Sequence, residues 1–230
     1  MRTVGMDRHR TLLTSLVLVA AALVVFGLTR STATAANRVS IPDPAVDAKA
    51  SGQQTVVFAG GCFWGVQAVF QHVKGVVSAT AGYSGGAANT AQYEIVSTGE
   101  TGHAESVKVV FDPAQVSFGQ LLKVFFSVAH DPTEVNRQGP DDGTQYRSVI
   151  FYSTDEEKNV AQAYIAQLNR ARVFSGPIAT QVVPLKAFYP AEAYHQNYAT
   201  LHPNNPYIAI NDAPKVANLK QELPSLYRDK

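Results

Sequence analysis

The chain has 230 residues, 46% of them apolar and 16% charged, so it carries enough hydrophobic material for a globular core and is not disordered throughout. Lys and Arg number 19 against 18 Asp and Glu, a net charge of +1 with no basic tract after the first ten residues, which excludes an electrostatic footprint for nucleic acid. One cysteine and six scattered histidines exclude a disulfide framework and offer no metal-binding spacing.

In chain order, Arg2, Arg8 and Arg10 precede an uncharged apolar run over residues 12–28, followed by Ser31-Thr32-Ala33-Thr34-Ala35-Ala36. A basic, then apolar, then small-residue pattern reads as a secretory signal peptide over residues 1–35, cleaved after Ala35. The alternative is an uncleaved anchor over residues 12–28, a run just short of the roughly 20 residues that span a bilayer. Either way the folded part is expected outside the cytoplasm, in a periplasm, cell envelope or medium. Residues 36–53 lack periodicity and read as a linker, leaving 54–230 as the folded domain.

That domain opens with a strand over 55–59 and the run Gly60-Gly61-Cys62-Phe63-Trp64-Gly65. Val66, Val69, Phe70 and Val73 recur at the spacing of one helix face, predicting a helix over 62–73 with the only cysteine at its N-terminus. Free backbone N–H groups and the helix dipole favour an anion there, so the Cys62 thiolate is expected at lower pH than in a free cysteine. A second apolar run, 76–83, ends in Ser84-Gly85-Gly86. Val107, Val109 and Phe111 alternate with Ser106, Lys108 and Val110 in a strand that stops at Asp112-Pro113.

Ser117 and Gln120 form a capping box for a helix with Leu122, Phe125, Phe126 and Ala129 on one face. A strand over 147–153, a helix from Thr154 with Glu157 completing a second box, and a strand-like run over 179–186 follow. Up to residue 153 the order is β-α-β-β-α-β, an α+β fold with a ferredoxin-like core. From His202 the chain is Pro- and Asn-rich and weakly patterned, which reads as surface coil.

Polar and aromatic groups collect at Cys62-Phe63-Trp64, at residues 93–105, at 130–146 and at 194–198. A bare cysteine is by default a small buried hydrophobe, but glycines, two aromatics and a helix start point to a nucleophile. His103 or His195 would complete a cysteine hydrolase or acyltransferase if either lay beside Cys62. His130 reads as a cap or loop hydrogen bonder, Tyr93, Tyr146 and Tyr198 as core or rim aromatics, and Glu105 as an exposed residue ahead of a strand.

Taken together, the motifs carry a resemblance. Gly-Gly-Cys-Phe-Trp-Gly at 60–65, Ala-Gly-Tyr-Ser-Gly-Gly at 81–86, Thr-Gly-His-Ala-Glu at 101–105, His-Asp-Pro-Thr at 130–133, Gly-Thr-Gln-Tyr-Arg-Ser at 143–148 and Tyr-His-Gln at 194–196 resemble the A-type peptide methionine sulfoxide reductases. The likeness runs from about residue 55 to about residue 200. It implies an α/β roll around the ferredoxin-like core, and repair of oxidised proteins by reduction of methionine S-sulfoxide, free or in peptides.

By resemblance Cys62 is the nucleophile, Glu105 the acid, and Tyr93 and Tyr146 the hydroxyls that bond the sulfoxide oxygen, with Asp141 assisting through water. Phe63 and Trp64 match the pocket for the substrate's S-methyl group, and His195 and Tyr198 are counted with them. No cofactor is implied. The reductant is an external thiol, low-molecular-weight or thioredoxin-like, and the chain is expected to act as a monomer. Two departures stand out: Gln67 occupies a position where the family motif leads us to expect Glu, and no C-terminal cysteine is present to resolve an oxidised Cys62. A non-catalytic binder of oxidised proteins would be favoured if Glu105 lay far from Cys62.

Overall fold

The computed structural model describes residues 41–230. The expected signal peptide or anchor, and the first residues of the linker, lie outside the described residues. In chain order the elements are β1 (Gln54–Ala59), α1 (Phe63–Gln71), β2 (Val76–Ser84), α2 (Tyr93–Val96), β3 (Ala104–Phe111), α3 (Phe118–Val124), β4 (Arg137–Gln138), β5 (Asp141–Asp142), β6 (Val149–Tyr152), α4 (Asp155–Ala171), β7 (Gln181–Pro184), β8 (Tyr189–Pro190), α5 (Tyr198–Leu201) and α6 (Ala213–Glu222). The result is a mixed α+β fold on a six-stranded mixed sheet in the order β7-β6-β1-β3-β2-β8. Only the β6–β7 pair is parallel.

Strand alternation sorts the side chains of β1 and β3 onto two faces. Val56, Phe58, Val107, Val109 and Phe111 join the larger core under α1, α3 and α4, while Val57, Ala59 and Ala104 join Val149 and Phe151 in a smaller one capped by Val183, Leu185 and Phe188. Phe58 stacks between Phe70 of α1 and Phe125, with ring centroids 5.0 and 4.8 Å away, and so ties the nucleophile's helix to the sheet. Both expected capping boxes are present, Ser117 with Gln120 and Thr154 with Glu157.

The last turn of α3 widens into a π turn over Phe125–Ala129, and His130 ends it. His130 Nδ1–H donates to the Phe125 carbonyl at 3.1 Å, and the Ser148 hydroxyl donates to Nε2 at 2.7 Å. Burial pushes its pKa down to about 3, so the ring is a neutral structural hydrogen bonder.

The coil expected after His202 is corrected. Residues Ile208–Asp212 form a π turn that runs directly into α6. Val216, Leu219 and Leu223 share one face of it, and Leu219 is fully buried. The apolar signal is thin because much of this segment is held by polar latches. Arg228 donates from Nε to the Gln71 carbonyl at 3.2 Å and from a terminal nitrogen to that of Val76 at 2.8 Å. Helix α1, buried on nearly every side, needs such a cover on the face turned from the sheet. Among the described residues no helix is long and apolar enough to cross a membrane.

Candidate active site

Cys62 is the N-cap of α1 and is only 8% exposed. The turn that places it needs Gly61, whose φ is +86° and where a Cβ would lie 2.6 Å from Cβ of Gln138. Gln138 itself is pinned, accepting from the Asp131 N–H at 2.9 Å and donating to the Asp131 carbonyl at 2.6 Å. One turn further on, Gly65 leaves room for Asp212: a Cβ would stand 2.0 Å from its Oδ1.

Glu105 is the second residue of β3, opposite Tyr83 in the ladder, and 3% exposed. It lies two positions before Val107, so the alternation that buries Val107, Val109 and Phe111 turns its carboxyl toward α1. There its Oε2 accepts the Phe63 N–H at 3.0 Å. Burial raises its pKa to about 8, with Asp141 and Asp212 adding to the rise and the Phe63 hydrogen bond opposing it. The carboxyl is therefore mostly protonated at neutral pH.

Cys62, Phe63, Trp64, Tyr93, Glu105, Asp141, Tyr146 and Tyr207 line one cavity of about 200 Å³. Tyr93 opens α2, and its N–H donates to Glu192 Oε1 at 2.9 Å, while Glu192 Oε2 accepts the Tyr83 hydroxyl at 2.8 Å. Tyr146 ends the 3-10 turn Thr144–Tyr146, knotted to the chain before β3 by Arg147, which donates to the carbonyls of His103 at 3.0 Å and Gly102 at 2.8 Å. Burial raises the pKa of both phenols, so they remain hydroxyl donors. Asp141, on the β4–β5 hairpin, accepts the Tyr207 hydroxyl.

Not every expected residue lines the cavity. His195 and Tyr198 stand behind Trp64: the indole N–H donates to His195 Nδ1 at 3.2 Å, and the Tyr198 ring stacks on the indole at 3.9 Å. Gln67 is a tether, donating to the Ala79 carbonyl and to Gln196 Oε1, both at 3.0 Å, and accepting the Asn197 N–H at 2.8 Å.

The expected acidity of Cys62 is reversed. Desolvation, followed by the Glu105 and Asp212 charges, raises its pKa well above the ordinary thiol value; the Trp64 backbone hydrogen bond and Lys215 only partly offset this. Neither histidine offers a base. His103 Nδ1 accepts the Gly86 N–H at 3.2 Å and its Nε2–H donates to the Ala87 carbonyl at 3.0 Å, while the lone pair of His195 Nδ1 is taken by Trp64. The cysteine hydrolase alternative loses its proton acceptor, and the non-catalytic alternative loses its premise, since Glu105 touches the residue after Cys62. Among the described residues no cluster of His, Cys, Asp and Glu is arranged to hold a metal ion.

The family profile of peptide methionine sulfoxide reductase matches residues 54–226. The chain belongs to the peptide methionine sulfoxide reductase family. Among similar proteins, peptide methionine sulfoxide reductase MsrA 2 of Mesorhizobium japonicum is 60% identical over 186 residues, 80% of this chain and 95% of that protein. The MsrA 2 of Synechocystis is 54% identical over 195 residues, 83% of this chain and 89% of its own length. Methionine sulfoxide reductase A of Corynebacterium diphtheriae superposes with a TM-score of 0.59 at 35% identity, covering 71% of this chain and 84% of the other.

For a methionine sulfoxide reductase of this type, the sequence reading missed Tyr207, Asp212 and Lys215, all from the segment taken for coil. Asp212 is completely buried against Gly65, with Oδ1 held by Lys215 Nζ at 3.1 Å. The Asn205-Pro206 pair and the thin apolar pattern hid them, although the 216, 219, 223 spacing was a readable helix signal.

Proposed function

We propose that this enzyme reduces methionine S-sulfoxide, protein-bound or free, to methionine through a sulfenic acid on Cys62. Methionine sulfoxide reductases act on one sulfur epimer each, and reversing the lesion restores an apolar side chain to its packing. The observation that carries the reading is that the Cys62 thiol, a carboxyl protonated at neutral pH, two phenol donors and two aromatic walls share one cavity of about 200 Å³.

The substrate's S-methyl group packs against Phe63 and Trp64, which brings the sulfoxide sulfur to Cys62 and its oxygen to Tyr93, Tyr146 and Glu105. Cys62 sulfur bonds to the sulfoxide sulfur, Glu105 protonates the oxygen, and Asp141 assists through water. The oxygen then passes from the substrate's sulfur to Cys62 as the substrate S–O bond and the new S–S bond break, leaving a sulfenic acid on Cys62 and releasing the thioether. Donors placed where negative charge develops, and an acid of matched pKa, are what this poor leaving group requires. Thiol plus sulfoxide gives sulfenic acid plus thioether with no net proton change, so the proton that Cys62 gives up as it attacks replaces the one Glu105 donates.

With no second cysteine in the chain, an external thiol, low-molecular-weight or thioredoxin-like, must discharge Cys62 through a mixed disulfide. The β6-β1-β3-β2 order of the antiparallel strands supports a ferredoxin-like core elaborated into an α/β roll. All the proposed groups come from one chain, which fits a monomer, and the signal-like residues 1–35 support export.

The test is stoichiometric. Without reductant, the S epimer should yield about one methionine per chain, leaving a dimedone-reactive Cys62, and a monothiol should restart turnover. Sustained turnover without reductant, or reduction of the R epimer alone, would overturn the reading.

A further inference from the structure

A second cavity is also lined by Cys62. It measures about 440 Å³, within the range of small-molecule sites, and shares only Cys62, Asp141 and Tyr207 with the aromatic cavity. Its other walls come from the π turn after α3, including Ser127, from the β4–β5 hairpin, and from Lys215 and Asn218 on α6. The Tyr207–Asp141 hydrogen bond is thus a partition with a cavity on either side.

We infer that the second cavity is the binding site of the reducing thiol, a low-molecular-weight, uncharged one, which attacks Cys62 from the side away from the sulfoxide pocket. The inference rests on the sulfenic acid proposed above. The oxygen delivered to Cys62 stays among Glu105, Tyr93 and Tyr146. Displacement at sulfur requires the incoming thiolate to approach along the extension of the breaking S–O bond, because that is where the antibonding orbital is open. The aromatic cavity holds the leaving oxygen, so the nucleophile must come from elsewhere.

The new sulfur–sulfur bond forms as the S–O bond breaks, and the hydroxyl leaves as water with a proton from Glu105, which the incoming thiol's proton replaces. A second thiol then exchanges with the mixed disulfide, releasing the oxidised reductant and restoring the Cys62 thiol.

The wall chemistry fits a small uncharged molecule. Ser127 Oγ is buried without a hydrogen-bond partner, and Lys215, which is among the lining residues, has its Nζ paired with Asp212 Oδ1 at 3.1 Å. The carboxylates are already engaged: Asp131 accepts from Thr133, Glu134 from the Gly139 N–H and Arg137, and Asp141 from Tyr207. Together they leave no surplus of positive charge for an anionic thiol.

The experiment separates the two half-reactions. Enzyme taken through one turnover without reductant is checked for a dimedone adduct, then mixed rapidly with 2-mercaptoethanol in the presence of rising N-acetylmethionine amide, a thioether that occupies the aromatic cavity. The second-order rate of sulfenic acid loss should not depend on the thioether. In Asn218→Trp, which plugs the second cavity, that rate should fall at least about tenfold while the first turnover changes by less than about twofold. Competition by the thioether, an unaffected rate in a folded Asn218→Trp, or reduction only by a protein dithiol would overturn the assignment. Should Asn218→Trp not fold, the thioether competition decides alone. If no dimedone adduct forms, the sulfenic acid reading fails first and this one with it; an adduct with an unaffected rate in a folded Asn218→Trp removes only the second.

Discussion

The wall of the aromatic cavity that comes from β3, α2 and the 144–146 turn differs in kind from what residues beyond 190 supply, where Tyr207 lines the cavity and the others stand behind its lining. The first brings groups that exchange or share protons: Glu105, Tyr93 and Tyr146, each with its pKa raised by burial. The second brings support. His195 and Tyr198 brace Trp64, and Asp212 fills the notch at Gly65. Chemistry on one side and positioning on the other means that substitutions should separate by what they do to kcat, to KM and to melting.

The largest effect is expected at the point where the walls meet. Cys62→Ser keeps the size of the side chain and removes the only sulfur nucleophile, so methionine formation should vanish while the far-ultraviolet circular dichroism stays native. On the chemical wall, Glu105→Gln keeps the shape and removes the proton, and kcat at neutral pH should drop about 10²-fold, the usual worth of a positioned acid. The native rate should itself fall above about pH 8 as Glu105 ionises, and a flat profile in that range would point to another acid.

Substitutions on the support side should be milder. Trp64→Ala removes the residue that the support side holds, and activity should fall far more than stability because the indole is only partly buried. Tyr198→Leu removes the stack behind it, with the Asn205 hydrogen bond to the phenol and the contact with His202. A loss of about threefold to tenfold, mainly in KM, is expected from one aromatic pair of roughly 0.5–1.5 kcal/mol. Equal damage from both would erase the distinction between touching substrate and bracing the residue that does.

The smallest effect is on stability and has a defined sign. Glu105 has a folded pKa of about 8 against an ordinary 4.5, so its contribution is full below pH 4.5 and is lost as pH rises through about 8. Glu105→Gln should therefore gain melting temperature relative to the native enzyme as pH climbs from 4.5 to 8. A constant difference across that range would mean that the carboxyl is not buried as described.

Much of the chemical wall was legible in the sequence. The glycines around Cys62 marked the strand-to-helix turn and the motifs singled out Glu105, but the expectation that Glu105 is exposed ahead of the strand is corrected: the strand starts at Ala104, earlier than its pattern suggested, and its alternation buries the carboxyl. The acidity of Cys62 was misread because a helix-end argument treats the end as open to water. In the fold the Phe63 N–H is spent on Glu105, and two carboxyl groups face the sulfur. The support layer was least legible: Tyr207 meets Asp141 across 66 positions, and Asp212, held by Lys215, fills the notch at Gly65 far back in the chain, and no local periodicity announces such pairs.

The amide network between α1 and the C-terminal side has a consequence for how the protein is made. Gln67 meets the Asn197 backbone across 130 positions, and Arg228 latches onto the end of the same helix across 157. Contacts of such long range form late. A chain still leaving the ribosome carries the nucleophile helix with one side bare and its thiol open to solvent, with the acidity of any free cysteine. In the finished enzyme the cysteine is only 8% exposed, so the sulfur is most vulnerable to indiscriminate oxidation during synthesis, before residues beyond 190 have closed over it.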